Sequence, residues 1–281
     1  MKKMLLATLV GGALSIMAGG AQAGLLWGNS AGGSVVIEAV DPGTGAVVHQ
    51  FAGGSGNGRG VVVVGDTVYY TRVSDNHIYK MDANTGAALG SIATGVASMS
   101  TIGWDGSHFW TSDYAGTNKA YQIDISGTVV KTISLSLAGG NSDGMEFFNG
   151  KLIANRGDTV GPYDIYDLDG NLLQANFINP GTQTTGIAFD GVNFITSNIY
   201  SNSVSFWNGT TGAFINTLTI GTPQPNTGNG RLWEDLSVDY AARADTGGGG
   251  GNNTVPEPAS LALLGIGLAG LAAARRRKQI A

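Results

Sequence analysis

The residues in this chain that could carry out chemistry are a few charged side chains set in glycine-rich stretches. Asp143, Glu146 and Glu234 could form a group of three carboxylates if the fold brings them together. Arg59 and Asp235 are the other charged residues expected beside them, and we take all five as possible ligand-binding residues. Two carboxylates on either side of a sugar bond would support glycoside hydrolysis. The same oxygens could bind Ca²⁺, or they could be solvated loop charges that keep a channel wet.

Other familiar motifs of catalysis or metal binding are missing from the sequence. The chain has no Cys, and its three histidines, His49, His77 and His108, have no spacing that suits zinc. Gly-x-Ser-x-Gly occurs at residues 28–32 and 140–144, but neither copy lies between a predicted strand and a helix as a nucleophile elbow does, and His-Glu-x-x-His does not occur. Residues 54–60 are rich in glycine but lack the Lys-Ser/Thr ending of a phosphate loop. We therefore expect no catalytic residues, no enzyme activity and no metal site, with Ca²⁺ as a cofactor that is possible but not indicated.

The charge distribution argues against a nucleic-acid partner. Six of the 15 basic residues lie at the two ends of the chain, at positions 2, 3 and 275–278. Residues 24–254 contain 9 basic and 19 acidic residues, which gives a net charge of about −10. A surface this acidic repels phosphate backbones and offers no basic stripe for the release of counterions.

The elements that must position the charged residues are predicted by an internal repeat. Five segments end in a similar turn, whose closing glycines are 41, 41, 43 and 42 residues apart: Gly45, Gly86, Gly127, Gly170 and Gly212. Alternating apolar runs on both sides of each turn are typical of half-buried strands in a hairpin. A second set of turns falls at residues 65–66, 105–106, 149–150 and 190–191. Each unit of about 42 residues therefore contains four strands, as a propeller blade does.

The two ends of the repeat array complement each other. Residues 24–27 begin in the position of a second strand, and residues 236–240 have the pattern of a first strand without partners after it. We predict that this C-terminal strand pairs inside the three N-terminal strands, which closes the ring and leaves no open edge. The predicted fold is an all-β, five-bladed propeller of four-stranded blades over residues 24–245. Its loops leading into the innermost strands carry the candidate residues.

The repeat units resemble those of YVTN-type and quinoprotein-like propellers. The likeness is clearest in Val-Tyr-Tyr-Thr at residues 68–71, in residues 76–81 and in Asp-Ala-Asn-Thr-Gly at residues 82–86. The third unit departs from it, since its turn at residues 124–127 is shortened. This resemblance implies a propeller and no particular activity.

The N-terminal end of the chain has the three parts of a secretory signal peptide. Lys2 and Lys3 precede an apolar run at residues 4–18, and Ala21 and Ala23 supply small residues before the expected cleavage site. We predict that signal peptidase removes residues 1–23 and leaves Gly24 as the first residue of the exported protein.

The C-terminal end consists of a linker and a predicted membrane segment. A Gly/Asn-rich linker at residues 246–254 leads to Val255, Pro256, Glu257 and Pro258, followed by sixteen apolar or small residues at 259–274. As a transmembrane helix these would span ~24 Å, a little less than the ~30 Å hydrocarbon core. The basic residues that follow favour a cytoplasmic C-terminus, so the propeller would face the periplasm. These are Arg275, Arg276, Arg277 and Lys278.

This tail, residues 255–281, resembles the PEP-CTERM sorting signal of Gram-negative bacteria. The resemblance implies recognition by a membrane protease of the exosortase type, removal of the tail, and release or attachment at the cell surface. Proteins with this signal accompany exopolysaccharide and biofilm production. We therefore predict an exported binding or scaffold module whose partners are exopolysaccharide or other surface proteins. The alternatives are a secreted hydrolase or lyase that uses the channel carboxylates, and a purely structural matrix protein.

Overall fold

The computed structural model describes residues 24–32, 34–137, 142–157, 161–221, 231–241 and 243. Three strands begin the described chain: β1 (Leu26–Ser30), β2 (Ser34–Val40) and β3 (Val47–Ser55). Eight strands follow: β4 (Gly58–Val64), β5 (Thr67–Arg72), β6 (His77–Asp82), β7 (Ala88–Ala93), β8 (Gly103–Trp104), β9 (Phe109–Ser112), β10 (Lys119–Ile123) and β11 (Val129–Ser134). The remaining nine are β12 (Met145–Phe148), β13 (Lys151–Asn155), β14 (Tyr163–Tyr166), β15 (Leu172–Ile178), β16 (Thr184–Phe189), β17 (Asn193–Asn198), β18 (Ser203–Asn208), β19 (Phe214–Thr219) and β20 (Trp233–Ser237).

The strands form five antiparallel four-stranded sheets, and the predicted five-bladed propeller is confirmed. Blades 1 to 4 are β4–β7, β8–β11, β12–β15 and β16–β19, each built from consecutive strands. Blade 5 has the order β20-β1-β2-β3, so the C-terminal strand closes the ring. That strand is Trp233–Ser237, three residues earlier than predicted, and a single parallel bridge from Asp239 to Val63 continues it toward blade 1.

The repeated turn between the third and fourth strands is stabilised in the same way in all five blades. An Asp or Asn opens the turn, and its side-chain oxygen accepts backbone N–H groups two to four residues later, as Asp82 does from Asn84 and Thr85. The closing glycine has a positive φ in all five turns, 72° at Gly45 and 69° at Gly212 for example. Glycine adopts this left-handed conformation without the steric cost of a Cβ.

Five apolar clusters hold the blades together, one at each interface between neighbouring blades. The cluster between blades 5 and 1 packs Trp27 and Ile37 against Val61 and Met81. Because each sheet is covered by the next blade around the ring, burial of these faces supplies the main stabilisation.

The inner strands approach each other closely around the ring at the height of Gly60, Gly144 and Gly186, which we call the level of the three glycines. A Cβ at Gly60 would lie 2.7 Å from Thr101 and Ile102 of blade 2, and one at Gly186 would lie 2.9 Å from Asp235. A Cβ at Gly144 would lie closer still to the carbonyl oxygen of Thr185. Larger residues at this level would push neighbouring blades apart.

Among the described residues, no helix is long and apolar enough to cross a membrane, and the predicted helix at 259–274 lies outside them.

Candidate functional site

All five inner strands run in the same direction, so the ring has two chemically different faces. We call the face where β4, β8, β12, β16 and β20 begin the mouth face. The opposite face, which we call the exit face, is where Asp239, Tyr240 and Arg243 follow β20. Hydrogen bonds from Val63 to Ser237 and from Gly65 to Asp239 place this segment beside the far end of β4.

Three of the candidate residues meet at the mouth face. Arg59 Nη1 lies 3.0 Å from Glu234 Oε2 and 3.9 Å from Asp143 Oδ1. All three are buried, with residue exposures of 6%, 6% and 2% for Arg59, Glu234 and Asp143. They come from blades 1, 5 and 3, so the ring itself brings together residues that are far apart in the chain.

Two residues of blade 2 complete this group. Ser100 Oγ donates a hydrogen bond of 2.6 Å to Asp143 Oδ1. The guanidinium carbon of Arg59 lies 4.2 Å from the ring centroid of Tyr114, which is a favourable cation–π geometry. Tyr114 is 36% exposed and therefore gives the group an aromatic surface that a ligand can reach. We refer to Arg59, Ser100, Tyr114, Asp143 and Glu234 as the mouth cluster.

The charge state of the mouth cluster changes near neutral pH. Burial raises the pKa of Glu234 to about 7; Arg59 opposes this rise and Asp143 adds to it. With both carboxylates ionised the cluster is net negative, and protonation of Glu234 makes it neutral. A carboxyl that titrates near neutrality can act as a proton donor or acceptor, and such groups are common at functional sites.

The raised pKa of Glu234 predicts that stability falls as pH rises from about 5 to 8. The folded protein holds the proton of Glu234 more tightly than the unfolded chain does, so this contribution is complete below pH 4.5 and is lost as pH rises through about 7. The difference corresponds to roughly 3 kcal/mol. Urea unfolding at several pH values should show a flatter profile for Glu234→Gln than for the wild type, and parallel profiles would contradict the assignment.

Glu146 lies apart from the mouth cluster, so the three predicted carboxylates do not form one group. The hydroxyl of Tyr240 donates to Glu146 Oε1, and Arg243 Nη1 lies 3.1 Å from the same oxygen. Glu146 is three residues beyond Asp143, about 10 Å along an extended strand, and the odd spacing turns its side chain to the opposite side. Burial raises the pKa of Glu146, and the charge of Arg243 opposes that rise.

Asp235 lies at the level of the three glycines and is fully buried. Its Oδ2 accepts hydrogen bonds from Val61 N at 3.2 Å, Ile102 N at 3.2 Å and Thr101 Oγ1 at 2.9 Å. Its Oδ1 accepts from the N–H of Leu236 at 3.0 Å. Burial raises its pKa well above the ordinary value, and the hydrogen bonds oppose that rise. Asp235 therefore ties the closing strand to blades 1 and 2 below the mouth.

Ser100 and Tyr114 were not among the residues predicted from the sequence. The sequence nevertheless contained an indication for Ser100. In each blade, one residue directly precedes the position that Gly60, Gly144 and Gly186 occupy in blades 1, 3 and 4. In blades 1 to 5 these residues are Arg59, Ser100, Asp143, Thr185 and Glu234. No comparable signal identifies Tyr114, whose contact with Arg59 depends on the path of the loop after β9.

A cavity of about 320 Å³ lies on the exit face. Its two acidic residues, Asp190 and Asp239, already accept backbone N–H groups in turns. The mouth cluster is the better candidate because its charged groups converge from different blades. Within the described part of the chain, no three His, Cys, Asp or Glu side chains are grouped to hold a metal ion.

Comparison with known proteins identifies the tail and the fold. Residues 254–278 match the PEP-CTERM protein-sorting motif, so the chain is an exported surface protein processed by exosortase-type machinery. The motif residues named above from Val255 to Arg277, and the signal-peptide residues Ala21 and Ala23, lie outside the described residues. No match is found among curated protein sequences.

The solved structures that are similar in fold include two that cover most of this chain. A chain of a nidogen/laminin complex is 15% identical, with a TM-score of 0.53 over 77% of this chain and 98% of that one. A glutaminyl cyclase from Myxococcus xanthus is 14% identical, with a TM-score of 0.50 over 64% of this chain and 88% of that one. At these identities the likeness concerns the fold alone.

Proposed function

We propose that this exported propeller is a non-catalytic binding module at the cell surface and that the mouth cluster is its ligand site. The observation that carries the proposal is the convergence of Arg59, Asp143 and Glu234 from three blades at one end of the inner strands. Burying three ionisable groups is costly unless they are paired, and a structural role alone does not require an exposed aromatic ring beside them. Tyr114 provides that ring.

The mouth cluster is separated from the exit face. Asp235 lies below it, at the level of Gly60, Gly144 and Gly186, where the inner strands approach each other closely. At the exit face Arg243 is held by Glu146 and by the carbonyl of Phe147. A ligand therefore reaches the mouth cluster from the mouth face.

The partner that best suits a protein sorted in this way is exopolysaccharide of the producing cell or another surface protein. Support comes from the sorting motif, whose carriers accompany exopolysaccharide production, and from hydrogen-bonding groups of both kinds at the mouth. Arg59 is a donor, the carboxylates are acceptors and Tyr114 offers an apolar face.

The test uses protein purified from its host and exopolysaccharide from the same cells. We expect the wild type to co-sediment with the polysaccharide and Arg59→Met to lose at least tenfold in affinity, because the guanidinium is the cluster's cation. A matched control is Lys131→Met, which removes a surface cation of blade 2 that pairs with exposed Asp169. Equal binding by both variants, or no binding by the wild type, would exclude the mouth as a polysaccharide site.

A secreted hydrolase or lyase is the second candidate function. The observation that favours it is the pKa of about 7 for Glu234, next to a second carboxylate that faces the same arginine. That pair suits general acid–base chemistry at neutral pH. Release of new reducing or unsaturated ends from the polysaccharide, abolished in Glu234→Gln, would support an enzyme. Binding without product release would support the non-catalytic module.

The route to the surface is also a proposal in its details. Signal peptidase would remove residues 1–23, and the helix at 259–274 would hold the precursor in the inner membrane with the propeller in the periplasm. We expect the intact mass of the wild-type protein to lack the tail. Substitution of Pro256, Glu257 and Pro258 by alanine should leave a heavier, membrane-bound form, because the protease no longer recognises the motif. Equal masses and equal locations for the two proteins would contradict tail processing at this motif.

A further inference from the structure

A polar groove of about 210 Å³ lies along blade 4 and opens on the mouth face. Its lining comes from the start of β16, the end of β17, the loop after it, and β18 and β19. We call it the blade-4 groove and define it by six hydroxyl-bearing residues: Thr184, Thr196, Ser201, Ser203, Ser205 and Thr217. Arg59, Asp143 and Glu234 do not line it, so the groove is separate from the mouth cluster.

Hydroxyl groups at the floor of the groove have unused hydrogen-bonding capacity. Thr184 is 2% exposed, and its hydroxyl makes no hydrogen bond to any described residue. Thr196, also 2% exposed, accepts a hydrogen bond of 2.9 Å from Trp207 Nε1 and donates to none of the described residues. The hydroxyl of Thr184 and the donor of Thr196 are therefore free to hydrogen bond to a ligand in the groove.

The residues that line the groove indicate which class of ligand it can bind. None of the described lining residues is charged, so the groove cannot neutralise an ionic group taken out of water. Serine and threonine hydroxyls both donate and accept hydrogen bonds, which matches a ligand whose own hydroxyls do the same. The volume is smaller than the roughly 300–1,000 Å³ of pockets for drug-sized ligands, and it suits a single sugar ring.

We infer that the blade-4 groove binds one neutral sugar residue, with Thr184 and Thr196 hydrogen bonding to the sugar hydroxyls. The sugar can be a free monosaccharide or a unit of a neutral glycan chain. This inference goes beyond the proposed function, because it concerns different residues and does not require a ligand at the mouth cluster.

The test is a saturation-transfer NMR titration of the purified protein with the methyl glycosides of glucose, galactose and mannose. A parallel titration with dextran distinguishes a glycan chain from a free sugar. We expect at least one glycoside to bind the wild type. Thr184→Val should weaken it about fivefold, since one hydrogen bond to the sugar is lost in a side chain of unchanged shape. Thr184→Ser, which restores the hydroxyl, should recover most of the affinity.

A second variant keeps the inference testable if Thr184→Val does not fold. Ser205→Leu fills the groove from a half-buried position of β18 and should abolish sugar binding while the thermal midpoint changes little. Thr132→Val on the exposed strand of blade 2 is a control that should leave sugar binding unchanged. The inference is wrong if no glycoside binds the wild type or if both groove variants bind normally.

Discussion

Replacing Asp235 with alanine is expected to lower the free energy of unfolding by roughly 3–5 kcal/mol. The substitution leaves the buried N–H groups of Val61 and Ile102 without an acceptor, and each such group costs about 1–3 kcal/mol. It also removes the only described side chain that hydrogen bonds the closing strand to both blade 1 and blade 2.

The measurement is urea unfolding followed by tryptophan fluorescence. Asp235→Asn should also destabilise the protein, because both carboxylate oxygens accept hydrogen bonds and an amide can supply only one acceptor. Asp169→Ala is the matched control, since this exposed residue forms a surface ion pair with Lys131 that should contribute less than about 1 kcal/mol. A cost for Asp235→Ala as small as the control's would refute the bridging role.

Replacing Arg231 with methionine should cost about as much, roughly 3–5 kcal/mol, because it leaves a buried carboxylate without its cation. Arg231 Nη1 lies 2.6 Å from Glu38 Oε1, and both residues are 1% exposed. Glu38 also accepts from Trp233 Nε1 at 2.9 Å and from Gln50 Nε2 at 2.9 Å. The pair joins β2 to the residues that lead into β20, so it fastens the ring at its closure.

A double-mutant cycle separates the ion pair from general packing. Glu38→Leu alone leaves the guanidinium buried, whereas Glu38→Leu combined with Arg231→Met removes both charges and replaces them by apolar groups. We expect the double variant to be more stable than the sum of the two single effects predicts, since replacing a whole buried pair can be nearly neutral. Single effects that add to within ~0.5 kcal/mol would show that the two residues act independently.

These two predictions share a structural reason, which is that the closing strand is short and is the last strand among the described residues. β20 has five residues and pairs with β1 on one side only. The Arg231–Glu38 pair fastens the chain before it, and the Arg243–Glu146 pair fastens the chain after it.

The sequence by itself determined the architecture of this protein. Turns with Asp or Asn at the start and glycine at the end recur every 41–43 residues, and their backbone conformation is a local property of those residue types. Alternating apolar residues specify the buried face of each strand, again from local information. The first unit starts at its second strand, and the array ends with a first strand that has no partners after it. This was enough to predict ring closure, although the closing strand begins at Trp233 rather than at Leu236.

Only the tertiary structure decided which charged residues meet. Asp143 and Glu146 are three residues apart and look like one cluster in the sequence, yet the first faces Arg59 and the second faces Arg243. The reason is the two-residue period of a strand, combined with a ring radius that sets which blades can touch. Arg59 and Glu234 lie 175 positions apart, and no local pattern encodes a contact that exists only once five blades have closed into a ring.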